Sequence, residues 1–178
     1  TGVARTGKRL AVDHENVKPD ILVLGKALSG GVYPVSAVLS DDRIMHVIKA
    51  GQHGSTFGGN PLAAAVAIEA LQVVKDEHLA ENAARLGEIF RKEISNYIKT
   101  SKIATLVRGK GLLNAVVIND TEESDTAWNI CLKMRDNGLL AKPTHGNIIR
   151  FAPPLVMNET ELRECIAIII NALKAFEK

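Results

Sequence analysis

The residues best suited to chemistry sit in three short runs. The first is ILVLGKALSGG, residues 21–31, in which four aliphatic residues lead through Gly25 to Lys26 and then to small residues. Lysine is among the costliest side chains to desolvate, so Lys26 is either a strand-end cation reaching water or an amine held in a pocket. In a pocket that disfavours its charged form it would be a Schiff-base nucleophile. The second run is HGSTFGGNP, residues 53–61, with adjacent hydroxyls at Ser55 and Thr56 in a glycine-rich loop before a helix start. Amides, hydroxyls and the positive end of a helix together favour a phosphate, although a plain loop capped by Asn60 has the same pattern. The third is IIRFAPPL, residues 148–155, which places Arg150 inside an apolar strand. A guanidinium there grips a carboxylate with two parallel hydrogen bonds, or simply points to water from an edge.

Other chemistries find less support. A phosphate loop of the Gly-x4-Gly-Lys-Ser/Thr type fails at Gly25-Lys26, where Asp20 and Ala27 stand at the required positions. It fails again at Gly109-Lys110, with Ala104 and Gly111 there. The five histidines are dispersed and show no metal-ligand spacing; His53 and His145 read as local loop contacts. A net charge of +2 and the lack of interleaved aromatic and basic residues give no general affinity for nucleic acid or anionic membrane. The longest apolar run, Ile166–Ile170, is far short of a membrane span. Cys131 and Cys165 lie in helical patterns and read as core thiols rather than a disulfide.

The elements that must position these residues follow from periodicity. Ile21–Leu24 reads as a strand covered on both faces, and 35–39 as a second. Asp41 and Asp42 start a short helix through about Ile48. Asn60 and Pro61 start an alanine-rich helix to about Lys75, apolar on most sides and therefore expected to be buried. Leu79, Ala83, Leu86, Phe90, Ile94 and Tyr97 mark an amphipathic helix. Glu81 with Arg85, and Glu88 with Lys92, sit four apart and suggest its solvated face. Residues 103–107 and 112–118 read as strands around Gly109–Gly111, 126–137 as a helix and 148–151 as a strand. Asn158 and Glu161 form a capping box before a last helix.

Taken together, LVLGKALSGGVYPVSAVL, HGSTFGGNPLAAAVA, VRGKGLLNAV and GLLAKPTHGNIIRFAPPL resemble the class III pyridoxal-phosphate aminotransferases, and within them the ornithine-acting branch. The resemblance covers essentially the whole chain. It implies an α/β fold: the C-terminal portion of a fold-type I transferase, with the end of the large-domain sheet in residues 1–75 and a small α+β C-terminal domain in 76–178. It implies that Lys26 binds pyridoxal 5'-phosphate covalently and later moves a proton between substrate and cofactor. It implies that Ser55 and Thr56 contact the cofactor phosphate from a neighbouring subunit, which requires at least a homodimer, and that Arg150 holds a substrate carboxylate. The implied substrates are L-ornithine and 2-oxoglutarate, with acetylornithine or 4-aminobutyrate as alternative donors. Members of that group are more than twice as long. The acid that pairs with the pyridine nitrogen, the stacking aromatic and the main phosphate turn have no counterpart in these residues, so the piece by itself is expected to be inactive and to serve as a structural unit. The implied compartment is the mitochondrial matrix or the cytoplasm.

Overall fold

Residues Ile21–Leu24 form strand β1: they are aliphatic throughout, and Gly25 closes the run. The structure, a computed structural model, describes residues 1–177. Strand β2 (Ala37–Ser40) lies antiparallel to β1, in the register Ile21–Ser40 to Leu24–Ala37. The two make a separate two-stranded ribbon. The expected covering of both faces is not met, since Ile21 is 52% and Val23 69% exposed. Among the described residues no further strand joins the ribbon.

Asp41 caps the single turn of α1 (Asp42–Met45) by accepting from the Ile44 amide at 3.1 Å. Helix α2 (Pro61–Asp76) starts as the sequence indicates, with Pro61 in the first turn and the Asn60 side-chain oxygen accepting from the Ala63 amide at 2.9 Å. Its expected burial is not met either. Only Ala63 and Ala67 are buried, while Leu62 and Ile68 are exposed. The aliphatic surfaces of β1 and α2 are thus both left uncovered by these residues. After Glu77, His78 takes a left-handed conformation, with φ of 51°, and α3 (Leu79–Ile98) sets off from it.

The remaining elements form one layered unit. Strands β3 (Ala104–Lys110) and β4 (Leu113–Ile118) meet at a turn through Gly111. Helix α4 (Thr126–Asp136), strands β5 (Lys142–Thr144) and β6 (Ile148–Phe151) and helix α5 (Glu159–Lys174) follow. The sheet order is β3-β4-β6-β5, antiparallel throughout. Asn114, Val116 and Ile118 of β4 point inward with Ile149 and Phe151 of β6. That face shares a core with Leu86 and Phe90 of α3, Ile130 and Met134 of α4, and Leu162 and Ile169 of α5. Phe90 and Phe151 stack obliquely, their centroids 5.5 Å apart. The capping box forms as read: the Glu161 amide donates to the Asn158 side chain at 3.0 Å, and the Asn158 amide to the Glu161 carboxylate at 2.9 Å. The charged face of α3 pairs differently from the four-residue spacing. Arg85 reaches Glu159 of α5 at 2.6 Å, and Glu88 takes Arg91 at 2.5 Å. Both cysteines are free; burial pushes the Cys131 thiol up to about 11 and raises that of the half-buried Cys165.

Residues at the start of the chain pack against this unit. Val3, Ala4 and Thr6 are buried. The Leu112 amide donates to the Arg5 carbonyl at 3.0 Å. In return the Arg5 guanidinium donates to the carbonyls of Leu112, at 3.2 Å, and Pro153. Three backbones come into contact here. A Cβ on Gly87 would lie 2.0 Å from the Gly111 carbonyl oxygen, and a Cβ on Gly111 would lie 2.4 Å from the Thr6 carbonyl carbon.

Two outcomes follow. In an open helix Gly87→Ala would stabilise by about 1 kcal/mol; against the Gly111 carbonyl it costs about 1–3 kcal/mol, as overpacking does. A urea midpoint that falls with an unchanged slope is the expected result, and a midpoint that rises would show that α3 does not lie against this turn. Asn60→Ala removes the cap of α2 at about 1 kcal/mol, which speeds amide exchange at Ala63 roughly fivefold, while Asn60→Asp preserves it.

Candidate functional site

Lys26 owes its place to how β1 ends. The strand runs out at Leu24, Gly25 is extended, and Lys26 itself is left-handed with φ of 48°. Such a conformation in a non-glycine residue costs of order 1 kcal/mol and is held only by its surroundings. The hold comes from Ser29, whose hydroxyl donates to the Lys26 carbonyl at 2.8 Å and accepts from the Gly31 amide at 3.0 Å. The single turn Lys26–Ser29 then closes on Gly30, also left-handed. A Cβ at Gly30 would lie 3.1 Å from that of Ala70, so the loop rests closely on α2. The Lys26 side chain is exposed, and among the described residues its amine makes no ion pair or hydrogen bond. It borders a cleft of about 410 Å³ with Ser29, Gly31, Tyr33, Pro34 and Val35.

Ser55 and Thr56 are positioned by α2. The Asn60 side chain caps the helix with its oxygen and donates from its nitrogen to the Phe57 carbonyl at 3.0 Å. One residue therefore fixes both the helix start and the loop before it. The Ser55 hydroxyl accepts from the Gly58 amide at 3.0 Å, which leaves its own proton to donate elsewhere. Ser55 borders a cavity of about 810 Å³ that shares Tyr33, Pro34 and Val35 with the Lys26 cleft. Thr56 is exposed and borders none of the cavities described here.

Arg150 stands on β6 with its side chain on the face opposite the core, between the inward residues Ile149 and Phe151. It is exposed, and among the described residues its guanidinium makes no hydrogen bond or ion pair. It borders a third cavity, about 340 Å³, with Leu112, Leu140, Phe151, Pro153 and Cys165. In a single chain, then, Lys26 and Ser55 line adjoining spaces, while Arg150 lines a separate one. Two neighbours escape a reading of the sequence. Tyr33 borders both the Lys26 cleft and the Ser55 cavity, and its place two residues after the glycine pair, just before Pro34, was the available signal. Arg5 braces the turn beside the Arg150 cavity by bonding to two carbonyls, which no side-chain pattern announces. His14 bonds locally to the carbonyl and hydroxyl of Thr6, at 3.1 and 3.2 Å. Among the described residues no group of three or more His, Cys, Asp and Glu is placed to hold a metal ion, and no helix is long and apolar enough to cross a membrane.

Known proteins share this arrangement. The family description "Aminotransferase class-III" matches residues 1–173. The mitochondrial ornithine aminotransferase of Rattus norvegicus is 63% identical over 176 residues, 99% of this chain and 39% of the relative. That of Drosophila melanogaster, also named mitochondrial, is 62% identical over 169 residues, 95% of this chain and 38% of the relative. A crystal structure of acetylornithine aminotransferase from Elizabethkingia anophelis superposes with a TM-score of 0.96 at 64% identity, covering 99% of this chain and 44% of that one. The chain spans about two-fifths of the length of the curated relatives it matches, 39% for the rat protein. With its strand-end lysine, its capped hydroxyl loop and a backbone that superposes on such an enzyme from end to end, the chain belongs to the class III aminotransferases, a pyridoxal-phosphate-dependent family.

Proposed function

We propose that the whole protein is a pyridoxal-phosphate-dependent aminotransferase that moves the δ-amino group of L-ornithine to 2-oxoglutarate, giving glutamate 5-semialdehyde and glutamate. The observation that carries this reading is the Lys26 amine, without a partner among the described residues, held at the mouth of a cleft by a strained and braced turn within a class III chain. The residues present fit the cofactor. A primary amine without a competing carboxylate suits an aldehyde. A hydroxyl that already accepts from the Gly58 amide and keeps its own proton to donate, next to a second hydroxyl, suits a phosphate. When bound, the cofactor supplies the aldehyde and an electron-withdrawing ring that stabilises negative charge at the adjoining carbon.

This chain's own residues do the rest. The Lys26 amine would hold the cofactor and, once free, would take and return the proton at the carbon that bears the transferred nitrogen. Ser55 and Thr56 donate hydrogen bonds to phosphate oxygens. Thr56 is exposed and borders none of the cavities described in its own chain, which supports a site completed by a second copy, with the loop reaching across to its neighbour. Arg150 holds a carboxylate with its planar fork and thereby fixes which end of the substrate meets Lys26. In this reading residues 1–75 complete a large domain and 76–178 form the small one, with Val3–Thr6 lying across the division on the small unit. The mitochondrial names of the rat and fly relatives favour the mitochondrial matrix over the cytoplasm.

A second donor has an observation of its own: the superposed structure with 64% identity is called an acetylornithine aminotransferase. Turnover of ornithine, N-acetylornithine and 4-aminobutyrate by the full-length protein separates these readings, and the highest kcat/KM is expected for ornithine. Lys26→Ala in the same protein should abolish the visible absorbance of bound cofactor and lower turnover at least 10²–10⁴-fold. A variant with an unchanged spectrum would sink the assignment of Lys26.

A further inference from the structure

Strand β6 ends at Phe151, and the residues after it cannot extend it. Its pairing with β4 sets Ala115 opposite Arg150 and Asn114 opposite Phe151. Continued by two residues, the same register would set Leu112 opposite Pro153. Pro153 and Pro154 carry no amide hydrogen, so they have no donor for another rung. The Leu112 amide is spent elsewhere, on the Arg5 carbonyl at 3.0 Å. Two carbonyls are left where a rung would have been, and one nitrogen of the Arg5 guanidinium donates to both, to Leu112 at 3.2 Å and to Pro153. An arginine from the opening residues thus stands in for the missing rung.

What lies on either side gives that rung its importance. Leu112, Pro153 and Arg150 border the same cavity, and only Phe151 and Ala152 separate Arg150 from Pro153. A guanidinium on a long stem turns a small twist of its strand into a larger displacement at its tip. Pairing with β4 and β5 holds Arg150 on both sides, and Arg5 holds the exit of the strand. Arg5 is itself anchored: Val3, Ala4 and Thr6 are buried, and a Cβ on Gly7 would lie 2.9 Å from that of Ala84 on α3. From Gly7 the chain runs on to β1, whose end bears Lys26. Lys26 and Arg150 belong to different sheets, joined through the chain at the α2–α3 elbow and again between Gly7 and β1. One joint alone leaves two bodies free to swing, and a second tie sets the angle between them. Arg5 makes that tie fast at the strand that carries Arg150.

We propose that Arg5 is a positioning residue for the reaction: by bridging the Leu112 and Pro153 carbonyls it fixes where the Arg150 guanidinium stands relative to Lys26. This rests on the aminotransferase reading above. Arg5 touches neither substrate nor cofactor in this role and acts through Arg150. A displacement of about 1 Å caused by a remote change can cost roughly 10²-fold in rate, so the loss of two main-chain contacts is enough to be felt.

The test compares Arg5→Met, Arg150→Gln and the double variant in the full-length holoenzyme. Methionine fills the half-buried space of the arginine stem and donates no hydrogen bond. Arg5→Met should leave the visible absorbance of bound cofactor unchanged, raise the KM for 2-oxoglutarate about tenfold and lower kcat less than about threefold. Added to Arg150→Gln it should raise KM by less than about twofold, because nothing is left for it to position. A role in stability alone gives the same factor in both backgrounds; that result, or an unchanged KM in Arg5→Met, would overturn the proposal. If Arg5→Met does not fold, Arg5→Gln, whose amide can still donate to one of the two carbonyls, decides by the same comparison with a rise of about threefold. Should the unmodified protein transfer no amino group at all, the aminotransferase reading fails, and calorimetric binding of 2-oxoglutarate to the same variants still decides. Affinity that falls with Arg5→Met only while Arg150 is present supports the positioning role, and equal losses, or no binding at all, refute it.

Discussion

Everything in the larger packed unit is referred to a place where three stretches of main chain touch without side chains between them. Gly87 on α3 faces the Gly111 carbonyl, and Gly111 faces the backbone of Arg5, Thr6 and Gly7. Apolar side chains adjust their rotamers around one another; two peptide groups in contact have nothing to adjust. The stack therefore sets where α3 lies over the β3–β4 turn. Arg5 carries that constraint onward, since it bonds to both Leu112 and Pro153. Pro153 follows closely on the strand that bears Arg150. The position of a candidate carboxylate grip is thus tied, through hydrogen bonds to main-chain carbonyls, to the opening residues of the chain. Burial without a carboxylate partner lowers the pKa of the Arg5 guanidinium below its ordinary value, and its two carbonyl contacts are the return for that desolvation.

Much of the architecture was legible because it rests on local rules. The Asn60–Pro61 start, the Asn158–Glu161 box and the apolar stripe of α3 are each written within a few residues, and each forms as read. Strand β5 was not legible: it has three residues, one of them Pro143, and it exists only because β6 offers an edge where a missing amide is tolerated. The burial of β1 and α2 was misjudged for a different reason. Their composition reports the environment for which the residues are suited, and the described residues do not supply it. The ion pairs of α3 were misjudged because helix spacing sees only the helix, whereas Arg85 found Glu159 on α5.

The candidate site shows the same division. Lys26, Ser55, Thr56 and Arg150 stood out by residue type and neighbours, and the structure adds how their segments are held. Lys26 is braced through Ser29, the hydroxyl loop through Asn60, and Arg150 by the strands on either side of β6. What no linear reading offered was juxtaposition across strands. Leu112 and Pro153 are unremarkable as single letters, and only register brings both to the Arg5 guanidinium.

His78 joins α2 to α3 in a left-handed conformation. Helices α2 and α3 have 16 and 20 residues, about 24 and 30 Å at 1.5 Å per residue. Had the chain stayed right-handed at this point, they would have merged into a single rod far longer than either layer it serves. Instead one imidazole-bearing residue turns the rod into an elbow. The angle between its two arms is written in the torsions of that joint, so a change there would swing the ribbon and its lysine as a whole while leaving every contact inside each arm untouched.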